Sequence, residues 1–310
     1  MLRIIFIRFA QAVPALLGIT LLAILLVPAG DAAVLLGGQR VSQETVEAMK
    51  AERGIDLPWH ARYTHQLKLL ASGRLKSDYS GEPVFPVLFN KFKMTVVLAF
   101  SAMLVATLLG LIAGCIAAWN RGKLLDRALM SLAISGISTP VFVFAFLLIA
   151  VFVMNMRLLP LAYTKSDAGL LPYLMLHALT LGVRSGSYLS RMVRSTILEV
   201  LGEDYILFAR AKGLSALPVF MKHALRNAML PIVTIIGLDL GSYLAGSIIT
   251  EVIFSWPGIG KEIYDAIGLR DTPMIFGGVL FVAVVFLIVN MLVDISYRWL
   301  DPRLRKEEHA

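Results

Sequence analysis

The sequence predicts an all-α integral membrane protein with six transmembrane helices. Three observations predict it. Mean hydropathy is +0.77 over 310 residues, of which only 16% are charged. Six apolar runs recur, at 9–28, 94–118, 128–154, 170–188, 229–249 and 275–295, against the roughly 20 residues a helix needs to cross a bilayer. In lipid only helices and closed barrels satisfy the backbone, and runs this long are helical.

The first run follows Arg3 and Arg8, as a signal peptide would. It is too long for an ordinary signal core, and "VPAGDAA" is a poor cleavage site, so it is read as a retained span. Segment 31–93 comes next. Within it, 42–49 reads as a capped helix: Ser42 or Gln43 starts it, acids follow, and Gly54 ends it. "LPWHARYTHQLKLL" reads as a second, amphipathic helix. The segment forms a small cap rather than an independent domain. The second span holds Cys115, the sole cysteine. It has no internal disulfide partner and is read as a packing residue. The fourth run is the weakest, since it carries Pro172 and His177, with Arg184 at its margin. The chain therefore divides into 1–30 (N-terminal segment and first span), 31–93, a five-helix core at 94–295 with an inner loop at 189–228, and a tail at 296–310.

The net charge of +8 has a membrane explanation. With the N-terminus inside, the cytoplasmic segments hold sixteen of the 29 Lys and Arg, and the two short outer loops hold four. This is the positive-inside bias, and it places both termini in the cytoplasm. Nucleic acid is not expected as a partner.

The loop stretch "EDYILFARAKGL" reads as a short helix with its own start and stop. Glu203 and Asp204 sit in its first turn, Arg210 and Lys212 in its last, each matching the helix dipole. Gly213 suits a left-handed stop. Tyr205, Phe208 and Ala209 share a face at i, i+3 and i+4. Ala209, Ala211 and Gly213 are small enough for another surface to approach. So short a helix is marginal alone and needs something to dock on. From this stretch alone, a helix resting on the membrane surface is an equal reading.

Asp239 lies within the fifth span, where a charge is costly and faces a bundle interior or a wet cavity. It shares a helical face with Ser242 and Tyr243. Two readings stand: a polar translocation surface for a peptide ammonium or a metal cation, or a hydrogen-bonded structural residue, or one nearer the interface. Gly237 and Gly241 form a small-xxx-small pair for close helix packing. Asp294 with Tyr297 and Arg298 reads as a local ion pair. His177 is a lone histidine without the partners of a metal site, and no metal ligand set is identified. Pro257, Gly258 and Gly260 read first as a turn in an outer loop. Neither Gly122-Lys123 nor Gly260-Lys261 stands in a phosphate loop, and no catalytic triad or paired-carboxylate constellation emerges.

Taken together, "EDYILFARAKGL" with "KHALRNAMLPIVT", "MLRIIFIRFAQAVPALLGITLL", "GIDLPWHARYTHQL", "EVIFSWPGIGKEIYDAI" and "LDPRLR" resemble the permease subunits of binding-protein-dependent ABC importers, in the dipeptide, oligopeptide and nickel branch. The resemblance covers nearly the whole chain. It departs from the general loop pattern at Leu207 and Phe208, where Glu and Ala would stand, and at Leu230-Pro231, which comes late. Ala29-Gly30-Asp31-Ala32 is also altered.

The resemblance implies a type I ABC importer permease fold with a cytoplasmic coupling helix, in a bacterial inner membrane. It implies coupling to an ATPase through Glu203, Asp204, Ala209, Arg210, Ala211 and Gly213. Pro257, Gly258 and Gly260 would lie at the outer mouth, near a docked binding protein. The expected partners are a second, homologous permease, two cytoplasmic ATPase subunits, a periplasmic or lipid-anchored solute-binding protein, and membrane lipid. The chain itself is expected to be no enzyme and to bind no cofactor, with ATP and Mg on the ATPases. The expected cargo is di- and oligopeptides; nickel, a metal chelate or a glutathione-like peptide is the alternative. Two other classes fit the sequence less well. A membrane enzyme needs clustered catalytic groups, and a voltage sensor needs Arg repeated within a span, whereas Arg184, Arg191 and Arg194 follow one.

Overall fold

The computed structural model describes residues 2–26, 47, 54, 57–163, 169–245 and 247–300, with side chains of the terminal helices from 13 and to 293. The expected helix at 42–49, the 29–32 motif, the Asp294 ion pair and the "LDPRLR" tail lie outside the described residues or side chains. Eleven helices carry the architecture among the described residues. They are α1 (Leu2–Leu26), α2 (Trp59–Ala71), α3 (Val84–Trp119), α4 (Leu124–Ser138), α5 (Val141–Leu148), α6 (Leu171–Val200), α7 (Asp204–Ala211), α8 (Arg226–Leu244), α9 (Ile248–Ile253), α10 (Ile259–Gly268) and α11 (Thr272–Leu300). α5 runs on as a π-helix over Ile149–Asn155, and a second π-helix, Val219–Leu225, leads into α8.

Each predicted span falls largely on helix; the fifth run outlasts α8, which ends at Leu244, and three further differences stand out. α3 begins ten residues before the apolar run, because its first turns pack on protein: Val84 and Leu88 are fully buried. The third span is not straight. α4 and α5 meet at a bend of 107°. Pro140 is the cause: it cannot donate to the helix ladder and holds the residue before it extended, and Thr139 sits at ψ 123°. The fourth run does not end near 188. α6 continues to Val200 over 30 residues, so Arg184 sits mid-helix. By length and composition, α3, the helix ending in α8, and α11 are long and apolar enough to cross a membrane, as is the bent α4–α5 pair taken as one. α6 is long enough but too polar to read as a lipid-facing span.

The chain forms two compact units: residues 1–96 with 244–288, and 97–243 with 289–310. In the first, Leu75, Val84, Leu88, Ile259, Ile263 and Phe276 form the core. α2 docks on α1. Helix C-termini leave carbonyls without partners, and the Arg62 guanidinium donates to one of them, Ile24 O. Tyr63 reaches Thr20 and Leu17 O, at 3.0 Å each. Asp271 caps α11 by accepting from Met274 N at 3.1 Å. The same carboxylate accepts from Ser77 Oγ and Asp78 N, pinning the 75–84 hairpin.

The second unit is built on the close approach of α3 and α6. A Cβ on Gly110 would lie 2.7 Å from Leu189, and one on Gly114 would lie 2.7 Å from Ser190 O. Reciprocally, a Cβ on Gly182 would lie 2.8 Å from Ala102 O. Two glycine pairs four apart, one on each helix, let the backbones meet, which is how membrane helices associate without a hydrophobic drive. Gly237 and Gly241 do the same against Val293 and Val289 of α11, at 3.1 and 3.2 Å. Cys115 packs against the unit's core, as read from the sequence. Arg194 forks onto Asp126, with hydrogen bonds of 2.7 and 2.8 Å, the bidentate geometry that makes such pairs strong.

Candidate functional site

Three places carry the expected functional residues. The first is α7. Glu203 is its N-cap residue, in extended backbone and without a side-chain cap bond; Asp204 opens the helix. The stop is a Schellman motif. Gly213 has φ +84°, its N–H donates to Arg210 O at 2.9 Å, and Leu214 N–H donates to Ala209 O at 3.3 Å. Only a residue tolerant of left-handed backbone fits there. A Cβ on Gly213 would meet nothing within 4 Å, so conformation alone demands the glycine.

α7 lies on the core of the second unit through Ile206, which is 0% exposed, and Ala209, at 7%. They pack among Val219, Phe220 and Ala224. Burying an isoleucine here stabilises by about 2 kcal/mol. Spacing puts Ala209 on one face with Tyr205 and Phe208, yet Ala209 is buried while the other two are exposed. Ala209 is small so that α7 can lie close on its own protein. The outward face is Leu207 and Phe208, 55% and 63% exposed, with Ala211 and Arg210 also outside. Lys212 Nζ stands 4.6 Å from the Phe208 ring centroid. Tyr205 is tied back to the base of α8, its hydroxyl accepting from Asn227 Nδ2 at 2.7 Å.

The second place is the polar cluster around Asp239. Arg184 and Ser185 of α6 stand beside Asp239 and Tyr243 of α8. Tyr243 is buried, and its hydroxyl donates to Leu181 O at 3.3 Å. Ser242 points elsewhere: it is exposed and bonds back to Leu238 O. The structure thus keeps Asp239 with Tyr243, sets Ser242 apart, and adds Arg184 and Ser185. His177 is fully buried, with Nδ1 2.7 Å from Tyr173 O of its own helix.

The third place is the loop 251–261, and its centre is a residue the sequence reading passed over. Glu251 is fully buried. Its Oε1 accepts from Thr95 Oγ1 and its Oε2 from Lys261 N, both at 2.9 Å. Thr95 Oγ1 in turn accepts from Ile259 N at 2.9 Å. Trp256 is buried and donates from Nε1 to Met94 O at 3.1 Å. A Cβ on Gly258 would fall 2.5 Å from the Glu251 carboxylate, and one on Gly260 would fall 2.9 Å from Oε2. Gly258 has extended backbone at φ −91°, ψ −179°. These glycines serve the close wrapping of the loop on a buried carboxylate, in a turn where Gly258 N–H donates to Trp256 O at 2.8 Å. Burial pushes the Glu251 carboxyl above the usual glutamate range, while the Lys261 N–H and Thr95 hydrogen bonds hold it partly down. The only sequence signal was an acid inside "TEVIFSW", an otherwise apolar stretch.

A broken apolar span, an amphipathic α6 and a docked short helix between α6 and α8 define a polytopic helical transport subunit. Residues 106–306 match the family described as "Binding-protein-dependent transport system inner membrane component", and the chain belongs to that family. It is 38% identical over 340 residues to the "Dipeptide transport system permease protein DppB" of Escherichia coli (strain K12), covering 99% of this chain and 100% of that one. It is 35% identical over 308 residues to the "Glutathione transport system permease protein GsiC" of Escherichia coli O6:H1, covering 98% and 99%. Among solved structures, the inward-facing MetNI methionine ABC transporter superposes with a TM-score of 0.56 at 17% identity, over 71% of this chain and 99% of that one. That likeness establishes the fold, the type I ABC importer permease fold expected from the sequence. The chain is thus a multi-pass inner membrane component and not itself an enzyme.

Proposed function

We propose that this chain is one half of the translocation pathway of an ATP-driven importer of di- and oligopeptides. The observation that carries it is α7: a short helix held to its own core by Ile206 and Ala209 while presenting Leu207 and Phe208 outward. Two large apolar side chains beside Arg210, on a helix with a built stop, suit docking in a groove of a cytoplasmic ATPase, whose nucleotide-driven motion α7 would pass to α8. Glu203, Asp204, Ala211 and Gly213 shape that helix; Ala209 supports it from beneath. The dipeptide permease DppB and the glutathione permease GsiC, glutathione being itself a peptide, support peptide cargo over nickel. A second permease, two ATPase subunits with ATP and Mg, and a solute-binding protein complete the assembly. The loop built on Glu251, with Pro257, Gly258 and Gly260, would form a rigid landing for that binding protein. Both termini would be cytoplasmic.

The test is reconstitution of the full complex in liposomes. Binding-protein-stimulated ATP hydrolysis and dipeptide uptake are expected for the parent. Phe208→Asp is expected to lose ATPase co-purification and uptake while the permease still inserts and elutes as the parent does. A Phe208→Asp complex that assembles and transports normally would remove the coupling role.

A further inference from the structure

The polar cluster around Asp239 bears on what the pathway recognises, an inference that rests on the peptide-importer reading above. α6 reverses the usual membrane pattern. Its buried positions are mostly apolar or small, such as Leu176, Ala178, Gly182 and Val193, while its exposed stripe carries Arg184, Tyr188 and Arg191. Arg184 lies thirteen residues in from Leu171, about 20 Å along the helix. An arginine that deep does not face hydrocarbon; such residues face protein or a water-filled cavity and mark a pathway.

Opposite it, on α8, stands Asp239, half-buried. Among the described residues no ion pair within 4 Å joins the two charges. Tyr243, one turn from Asp239 on α8, is anchored on Leu181 O, one turn from Arg184 on α6, and this bond sets the two charged residues on facing stretches of the two helices. A carboxylate and a guanidinium are thus held near each other on two helices without closing on each other. Their remaining hydrogen-bonding capacity suits a ligand carrying both charges. In an extended dipeptide the free ammonium and carboxylate lie about 6 Å apart, given the 3.8 Å between consecutive Cα atoms.

We propose that Arg184 and Asp239 form a subsite for zwitterionic short peptides, Asp239 receiving the α-ammonium and Arg184 the α-carboxylate, with Tyr243 as a positioning residue.

The experiment uses the purified permease–ATPase complex without its binding protein, so that the binding protein's own selectivity does not intervene. Equilibrium binding of Ala-Ala, N-acetyl-Ala-Ala and Ala-Ala amide is compared. The parent is expected to prefer Ala-Ala by about tenfold over each blocked peptide, the scale of one charge-assisted hydrogen bond. Asp239→Asn is expected to erase the preference over the N-acetyl peptide only, and Arg184→Gln the preference over the amide only. A parent that binds all three alike, or not at all, overturns the proposal. So do variants that weaken all three equally, which is the mark of a structural ion pair. Should a variant fail to assemble, the parent's ranking of the three peptides decides. Binding-protein-stimulated ATP hydrolysis by the same preparation is the separate readout of the importer reading. Its retention without peptide discrimination sinks only this subsite; its absence sinks the importer reading.

Discussion

Replacing Glu251 with alanine is expected to release the loop that follows it. Two donors would lose their acceptor inside the protein: Thr95 Oγ1 and the Lys261 backbone N–H. Leaving a buried donor unsatisfied costs about 1–3 kcal/mol, so the pair costs about 2–6 kcal/mol locally. The loss extends further, because the same Thr95 hydroxyl holds Ile259 N–H. Amide hydrogen exchange of the purified complex, read on peptides covering 256–264, measures this local opening directly. A cost of about 3 kcal/mol raises the exchange rate by about 150-fold, at 1.4 kcal/mol per factor of ten. Exchange at Ile259 and Lys261 is expected to quicken by at least about 30-fold, with peptides of α3 beyond residue 100 unchanged. Protection at those two amides within threefold of the parent's would refute the view that this carboxylate organises the loop.

The same loop should respond to pH. The Glu251 carboxyl is held above its ordinary value by burial, so the fold favours the neutral acid. Its contribution is fully present below the unfolded pKa of about 4.3 and is lost as pH rises through the folded value. Loop protection, corrected for intrinsic exchange, should therefore be greater at pH 5 than at pH 8, and Glu251→Gln should flatten the difference. Gly114→Ala places a Cβ 2.6 Å from Val193 and 2.7 Å from Ser190 O. Part of that clash is backbone, so a loss of about 1–3 kcal/mol or more is expected, read as a lower melting temperature of the detergent-purified protein; an unchanged melting curve would count against the α3–α6 packing. Gly213→Val forces a β-branched residue to φ +84°, about 1–3 kcal/mol of strain. It should lower uptake per ATP hydrolysed in proteoliposomes without reducing membrane insertion, and unchanged coupling would show that the α7 stop does not matter.

Much of the architecture was legible in local pattern. Apolar runs of span length locate the membrane helices because a bilayer sets one length for all of them. α7 announced itself through its acidic start, basic end and Gly213, since dipole and capping chemistry act within a single turn. Asp239 stood out because a charge within a span is rare. What failed to show were facts of phase and partnership. Adjacent positions of α7 look alike in composition, so the burial of Ala209 and the exposure of Phe208 depend on how the helix rolls on Val219 and Phe220.

The sequence by itself determined the class of molecule, the number and order of its apolar segments, and the start and stop of α7, because each follows from interactions between residues a few positions apart. The bend of 107° at Thr139-Pro140 has a local cause, the proline, that was in plain view. Tertiary structure alone decided three things. It paired Gly110 and Gly114 with α6, nearly 80 residues away in the chain, where only backbone approach gives the glycines meaning. It also set Arg184 near Asp239 and wrapped Gly258 and Gly260 around Glu251. Charges and hydrogen bonds act through space, and no spacing rule in one dimension encodes a partner 55 residues away.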